Sequence, residues 1–212
     1  MEKISGEFNL ACDEAKIKVL KISTNWLEML KLFEHPEFIG TTLEEKKSEK
    51  RKNEFLAVRL ALKELMGYEV EVIYNNEGKP FIANDTHQIS ISHSGEWVAV
   101  IAHPKNKVGI DIECPNKKIE KVYSRFLSLT EQQTLFGDGD VRKLYLAWSA
   151  KEALYKIIGR EAVDFQNQLQ ILPFDITSNS GKMNAIHLPT AINYQLKYHI
   201  CNDYCLVYSI EI

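Results

Sequence analysis

The chain has 212 residues, 45% hydrophobic and 26% charged, with a formal net charge of −3. That length buries a sizeable core as one large domain or two small lobes, and the composition is that of a globular protein rather than a disordered or fibrous one. Negative net charge argues against a nucleic-acid binder. No apolar run reaches ~18 residues, Met1 to Lys16 shows no basic-then-apolar leader, and the 4 cysteines form no C-x-x-C pair, so the expectation is a cytoplasmic protein with free thiols, off the membrane.

In chain order, the pattern predicts a helix over Leu43 to Met66, with Phe55, Leu56, Leu60, Leu62 and Leu65 supplying apolar positions and Gly67 ending it. A short strand, Val70 to Tyr74, precedes a turn at Asn75-Asn76-Glu77-Gly78, and Lys79-Pro80 leads into extended chain. Strands at Gln88 to His93, Trp97 to His103 and Lys107 to Glu113 follow with short connections and read as a β-meander. The second half has a helix start near Ser128-Leu-Thr130-Glu131, with Thr130 as N-cap, and a Gly-Asp-Gly-Asp break at 137–140 before a helix carrying Trp148. Gln195 to Ile200 and Tyr204 to Ile212 read as strands around a turn at Asn202-Asp203; a zinc cluster of His199, Cys201 and Cys205 is the weaker alternative there. Val58 to Gly67 aligns without gaps on Ala150 to Gly159, each a helix ending in glycine.

Chemistry concentrates in two motifs. In the strand Val108-Gly-Ile-Asp-Ile-Glu113, alternation puts Val108, Ile110 and Ile112 on one face and Gly109, Asp111 and Glu113 on the other. In the helix, Trp148, Glu152 and Lys156 are four apart and form one stripe. Two carboxylates ~5 Å apart repel by ~3 kcal/mol at an effective dielectric of ~20, so three converging acids would consume much of a stability margin of ~5–15 kcal/mol. A divalent cation removes that repulsion, and an all-oxygen set suits Mg²⁺ completed by a phosphate. Each motif also has a plain explanation: a solvated Asp-x-Glu on a wet strand face, and an ordinary i,i+4 Glu–Lys pair.

Taken together, G-(I/V)-D-x-E at 109–113 and W-S-x-K-E-A-x-x-K at 148–156 resemble the signature of the 4′-phosphopantetheinyl transferases. Gly78-Lys79-Pro80 and Ser92-His93-Ser94 match a third element of that family, so the likeness spans residues 78 to 156. The resemblance, with the chain's length, implies the larger, monomeric, surfactin-synthetase-activating type: an α+β fold of two similar lobes, 1–105 and 106–212, about a pseudo-twofold axis with the active site between them. It implies Mg²⁺-dependent transfer of the phosphopantetheine arm of coenzyme A to a serine of an apo acyl carrier protein or peptidyl carrier domain, releasing 3′,5′-adenosine bisphosphate. Asp111, Glu113 and Glu152 would hold the metal, Glu152 would act as general base and Lys156 would serve the leaving phosphate. Coenzyme A contacts would come from Arg51, Lys79, Ser92, His93, Lys151 and Lys156. Arg51 is chosen from the basic run Lys46 to Lys52 because a guanidinium fork suits a phosphate. Lys117, Lys118 and Lys121, with Phe126, Leu127 and Leu129, are candidates for docking the carrier, although the apolar three are also core candidates.

Two rival classes are weaker. A carboxylate nuclease would want a lysine two residues past the second acid, where Pro115 stands. A binding-only relative would be expected to have lost a metal acid or the helix lysine, and all are present. No G-x-x-x-x-G-K-(S/T) loop supports a nucleoside triphosphatase.

Overall fold

The computed structural model describes residues 6–9, 14–83, 86–116, 118–159 and 163–211, with backbone alone at 6–9, 38, 40 and 41. Cys12 and Lys117 lie outside the described residues. The chain divides into two compact units, Met1–Lys107 and Val108–Ile212. Both combine helices with antiparallel strands, the α+β class expected.

In the first unit, β1 (Gly6–Asn9), β2 (Lys16–Lys21), β6 (Trp97–His103) and β5 (Gln88–Ser94) form a four-stranded sheet in the order β1-β2-β6-β5. The short strands β3 (Val72–Tyr74) and β4 (Pro80–Ile82) make a separate ribbon. After the short helices α1 (Trp26–Leu30) and α2 (Gly40–Glu44), the long helix α3 (Glu49–Met66) packs on β2 and β6. Its fully buried Leu56, Ala57, Ala61 and Leu62 meet Val98, Val100 and Ala102 in one core. The helix expected from Leu43 is thus two helices. Ser48 accepts a hydrogen bond from Arg51 N at 3.3 Å, a side-chain cap that starts α3 afresh. The end is as expected: Gly67 takes φ +83°, the left-handed value that glycine adopts at little cost.

In the second unit, the sheet runs β7-β11-β10-β9-β8, built from β7 (Val108–Glu113), β8 (Leu169–Ile171), β9 (Ser180–His187), β10 (Ile192–Ile200) and β11 (Cys205–Ile210). The helices are α4 (Ile119–Val122), α5 (Leu129–Phe136) and α6 (Val141–Ile158). The meander is corrected here. β5 and β6 pair as a hairpin, but β7 leaves them and pairs with β11, with Asp111 opposite Val207. In the turn after β6 the buried His103 ring accepts at Nδ1 from Lys105 N at 3.0 Å and Asn106 N at 2.8 Å. The hairpin at Asn202-Asp203 joins β10 and β11 as expected.

The break at 137–140 also holds, with Asp140 capping α6 through Arg142 N at 3.0 Å. The cap of α5 is Ser128, not Thr130: Ser128 Oγ accepts from Glu131 N, and Glu131 Oε2 accepts from Ser128 N at 2.8 Å, a reciprocal capping box. Leu144, Ala147, Ala150 and Leu154 of α6 are fully buried in a core with Leu196 and Val207. Fully burying one leucine side chain contributes ~2 kcal/mol, so this face holds α6 on the sheet.

Candidate active site

The site is built where α6 crosses β7. Alternation along β7 places Gly109, Asp111 and Glu113 on the face that α6 covers. At Gly109 the helix backbone comes so near that a Cβ would lie 2.0 Å from the Ala153 carbonyl oxygen, so only glycine fits. The acidic face of this strand is therefore not a wet face. Asp111 is buried at 4% exposure and Glu113 is half-buried. Val108, Ile110 and Ile112 on the opposite face are buried too.

The predicted stripe on α6 faces these acids in reverse order along the chain. Trp148 Nε1 donates to Glu113 Oε1 at 3.0 Å. Lys156 Nζ donates to Asp111 Oδ1 at 3.0 Å and to the Ile110 carbonyl at 2.7 Å. Glu152, one turn from each, lies between these pairs along α6. Its burial, then the charge of Asp111, pushes the Glu152 carboxyl up to about 7; Lys156 pulls it down and Glu113 adds to the rise. Such a carboxyl is poised to accept a proton near neutrality.

The three acids suit a hard divalent cation. They offer only carboxylate oxygen, Asp111 Oδ2 is buried and accepts no hydrogen bond, and Glu152 carries the electrostatic cost of its acidic neighbours. As they stand among the described residues, however, no three His, Cys, Asp or Glu side chains form a group that could hold a metal ion. Trp148 and Lys156 engage two of the acids instead.

Trp148 thus both packs and orients a carboxylate. Its ring lies edge-on to Phe126 at 5.1 Å and tilted against Phe165 at 5.7 Å, which fixes the indole N–H toward Glu113. The clue was its place in the same four-residue stripe as Glu152.

Lys151 is a correction. It was expected to contact coenzyme A, but its side chain is fully buried on the other side of α6. Its ammonium donates to the carbonyls of Phe126, Phe165 and Leu169 at 2.8, 2.6 and 2.7 Å and pairs with Glu131 at 2.8 Å. Burial lowers the Lys151 pKa, with Glu131 opposing. One residue along a helix is a rotation of ~100°, which takes Lys151 away from the Glu152 stripe. Glu131 also accepts from Ile171 N at 2.8 Å, so this pair ties α6, α5 and β8 together.

The other named residues lie in the first unit. Arg51 is exposed on the first turn of α3. Three of its basic neighbours have partners of their own: Lys46 lies over Phe55 at 5.5 Å, Lys52 over Trp26 at 4.2 Å, and Lys50 is 3.7 Å from Glu54. Lys79 is half-buried, its ammonium 5.9 Å from the Phe81 ring centre and its backbone N–H on Asn75 Oδ1 at 2.8 Å. Ser92 is buried on β5; His93, next to it, has a half-exposed ring with Nδ1 3.8 Å from Glu54 Oε1. Of the apolar docking candidates, Phe126 and Leu127 are core and Leu129 is 76% exposed. Lys118 and Lys121 are exposed. The His199–Cys205 segment is a hairpin whose side chains diverge: His199 Nδ1 meets Ser180 Oγ at 2.8 Å, and Cys205 Sγ lies 3.8 Å from Ser149 Oγ.

Comparison with known proteins points the same way as the motifs. A family model described as the 4′-phosphopantetheinyl transferase superfamily matches residues 107–209. A phosphopantetheinyl transferase of Thraustochytrium sp. is 27% identical over 165 residues, covering 68% of this chain and 56% of the relative. A 4′-phosphopantetheinyl transferase of Salmonella typhi is 26% identical, covering 65% of this chain and 75% of the relative. The L-aminoadipate-semialdehyde dehydrogenase-phosphopantetheinyl transferase of Rattus norvegicus is 26% identical, covering 65% and 51%. The chain thus spans little more than half the length of two of these three relatives. Among the described residues, no helix is long and apolar enough to cross a membrane.

Proposed function

We propose that the chain, which over residues 107–209 is similar to the 4′-phosphopantetheinyl transferase superfamily, transfers the 4′-phosphopantetheine arm of coenzyme A to a serine of an apo carrier protein, releasing 3′,5′-adenosine bisphosphate. The observation that carries the reading is Glu152: a half-buried carboxyl pushed up to about 7 by burial and Asp111, on the helix that crosses the Asp111–Glu113 strand.

In this reading Glu152 takes the proton of the carrier serine as its oxygen attacks the β-phosphorus of coenzyme A. Lys156, held by Asp111 and the Ile110 carbonyl at the next turn, supplies positive charge to the leaving phosphate. Trp148 keeps Glu113 in position through its N–H. Mg²⁺ held by Asp111, Glu113 and Glu152 would neutralise charge on the pyrophosphate. On the first unit, His93 and Lys79 are assigned to the coenzyme A phosphates and nucleotide, Ser92 to a supporting contact and Arg51 to the 3′-phosphate. A cytoplasmic monomer is part of the same proposal.

The test is intact-mass spectrometry of a panel of apo carrier proteins incubated with the chain, coenzyme A and Mg²⁺, with EDTA and Glu152→Gln as controls. A metal-dependent gain of one phosphopantetheine arm on serine supports the reading. Wild-type turnover by Glu152→Gln at saturating Mg²⁺ would remove Glu152 as the base. Absence of both coenzyme A binding and transfer would sink the assignment.

A further inference from the structure

The stripe of α6 that faces β7 runs one position beyond Trp148. Tyr145 lies three residues earlier, so Tyr145, Trp148, Glu152 and Lys156 share one face of the helix. These side chains meet successive points of the opposite chain in reverse order: Lys156 takes the Ile110 carbonyl and Asp111, Trp148 takes Glu113, and Tyr145 takes Asn116 in the loop beyond. The spans match. Lys156 to Tyr145 is ~17 Å of helix at ~1.5 Å per residue, and Asp111 to Asn116 is ~17 Å of extended chain at ~3.3 Å per residue.

Tyr145 is buried, and its hydroxyl engages both backbone groups of one residue: it accepts from Asn116 N at 2.6 Å and donates to the Asn116 carbonyl. The Asn116 side chain folds the same loop on itself, with Nδ2 donating to the Cys114 carbonyl at 3.5 Å and Oδ1 accepting from Lys118 N at 3.0 Å. This fastening sits where the sheet lets go. Glu113 is the last residue of β7, opposite Cys205, and Pro115 has no N–H with which to continue the ladder. Burial pushes the Tyr145 pKa up, with the Asn116 contact opposing and Cys205, Glu120 and Glu113 adding to the rise, so the hydroxyl keeps the proton it donates.

We infer that Tyr145 is a positioning residue of the acidic site: by pinning Asn116 to α6 it stops the end of β7 from fraying and holds the Glu113 carboxylate against the Trp148 N–H, where it can serve as a metal ligand. The consequence for the metal rests on the function proposed above; the pin itself does not.

Hydrogen exchange on the whole ¹⁵N-labelled chain, followed by NMR in EDTA without coenzyme A or carrier, tests the pin. Tyr145→Phe keeps the ring and removes the hydroxyl, and Ser128→Ala is the control for a general loss of stability; melting temperatures show that each is folded. In Tyr145→Phe the Asn116 N–H and the Trp148 Nε1–H should each exchange about tenfold faster than in wild type, the loss of one hydrogen bond. In Ser128→Ala both should stay within about twofold of wild type, because the α5 cap is not part of the fastening. Mg²⁺ affinity of the same proteins, read by isothermal titration calorimetry, should fall about tenfold in Tyr145→Phe alone, the low end for groups that orient a metal ligand from behind. Unchanged exchange at either N–H, or equal acceleration in both variants, overturns the pin, and shifted exchange with unchanged Mg²⁺ affinity overturns its role at the metal. A wild-type chain that binds no Mg²⁺ counts against the ligands proposed above, whereas the exchange rates still decide Tyr145, so the two failures are distinguishable.

Discussion

Replacing Glu152 by glutamine should stabilise the protein, by an amount that grows with pH. In the folded chain the carboxyl is raised from an ordinary 4.5 to about 7, so between those values the folded state binds more protons than the unfolded chain and stability falls as pH rises. Linkage makes the penalty about 1 kcal/mol at pH 5 and about 3 kcal/mol at pH 8, where it is complete. Glutamine keeps the shape and removes the charge that burial and Asp111 oppose. Thermal melts of both proteins in EDTA, followed by circular dichroism, should show the variant's advantage widening by roughly 5–10 °C from pH 5 to pH 8, at ~2–4 °C per kcal/mol for a chain of this size. The same variant should lose transfer activity, so stability and turnover move in opposite directions. An advantage that stays constant across that range, or a wild-type optimum of stability at pH 8, would refute the electrostatic account of Glu152.

Gly109→Ala should force α6 off β7, because the new methyl meets backbone rather than a side chain that can turn aside; a loss of ~3 kcal/mol in urea unfolding is expected, with transfer activity lost alongside. Lys151→Met leaves Glu131 buried and unpaired and should cost about 3–5 kcal/mol, whereas the double variant with Glu131→Leu should recover part of it; a surface-like change below ~0.5 kcal/mol would contradict the burial. Trp148→Phe keeps the ring packing but removes the N–H on Glu113, so stability should fall by only ~1 kcal/mol while the Mg²⁺ concentration needed for half-maximal transfer shifts. Ser128→Ala removes one half of the capping box and should lower stability by ~1 kcal/mol without altering that Mg²⁺ requirement.

Much of the site was legible in the chain because it rests on two short periods. Alternation along 108–113 put Asp111 and Glu113 on one side, and the four-residue repeat put Trp148, Glu152 and Lys156 on another; both follow from local geometry, and the structure shows those groups facing one another. The end of α3 at Gly67 and the turn at Asn202-Asp203 were equally local. Ser128-x-x-Glu131 is likewise a local signal, a capping-box pattern whose reciprocal hydrogen bonds start α5 at Ser128 rather than at Thr130.

What only the tertiary structure decided are the choices between partners. Three strands in a row looked like a meander, because sequence shows that a segment is extended but not which strand satisfies its backbone; β7 found β11 almost a hundred residues on. Lys151 sits in a motif of site residues, yet one step around the helix turns it from solvent and ligand to Glu131 and three carbonyls, and nothing in its own spacing says which elements will cover that face. The chain by itself therefore determined which residues share a face, since that depends on backbone period alone. Packing determined what each face meets, and hence that Asp111 is buried, that Glu152 titrates near neutrality and that Trp148 holds Glu113.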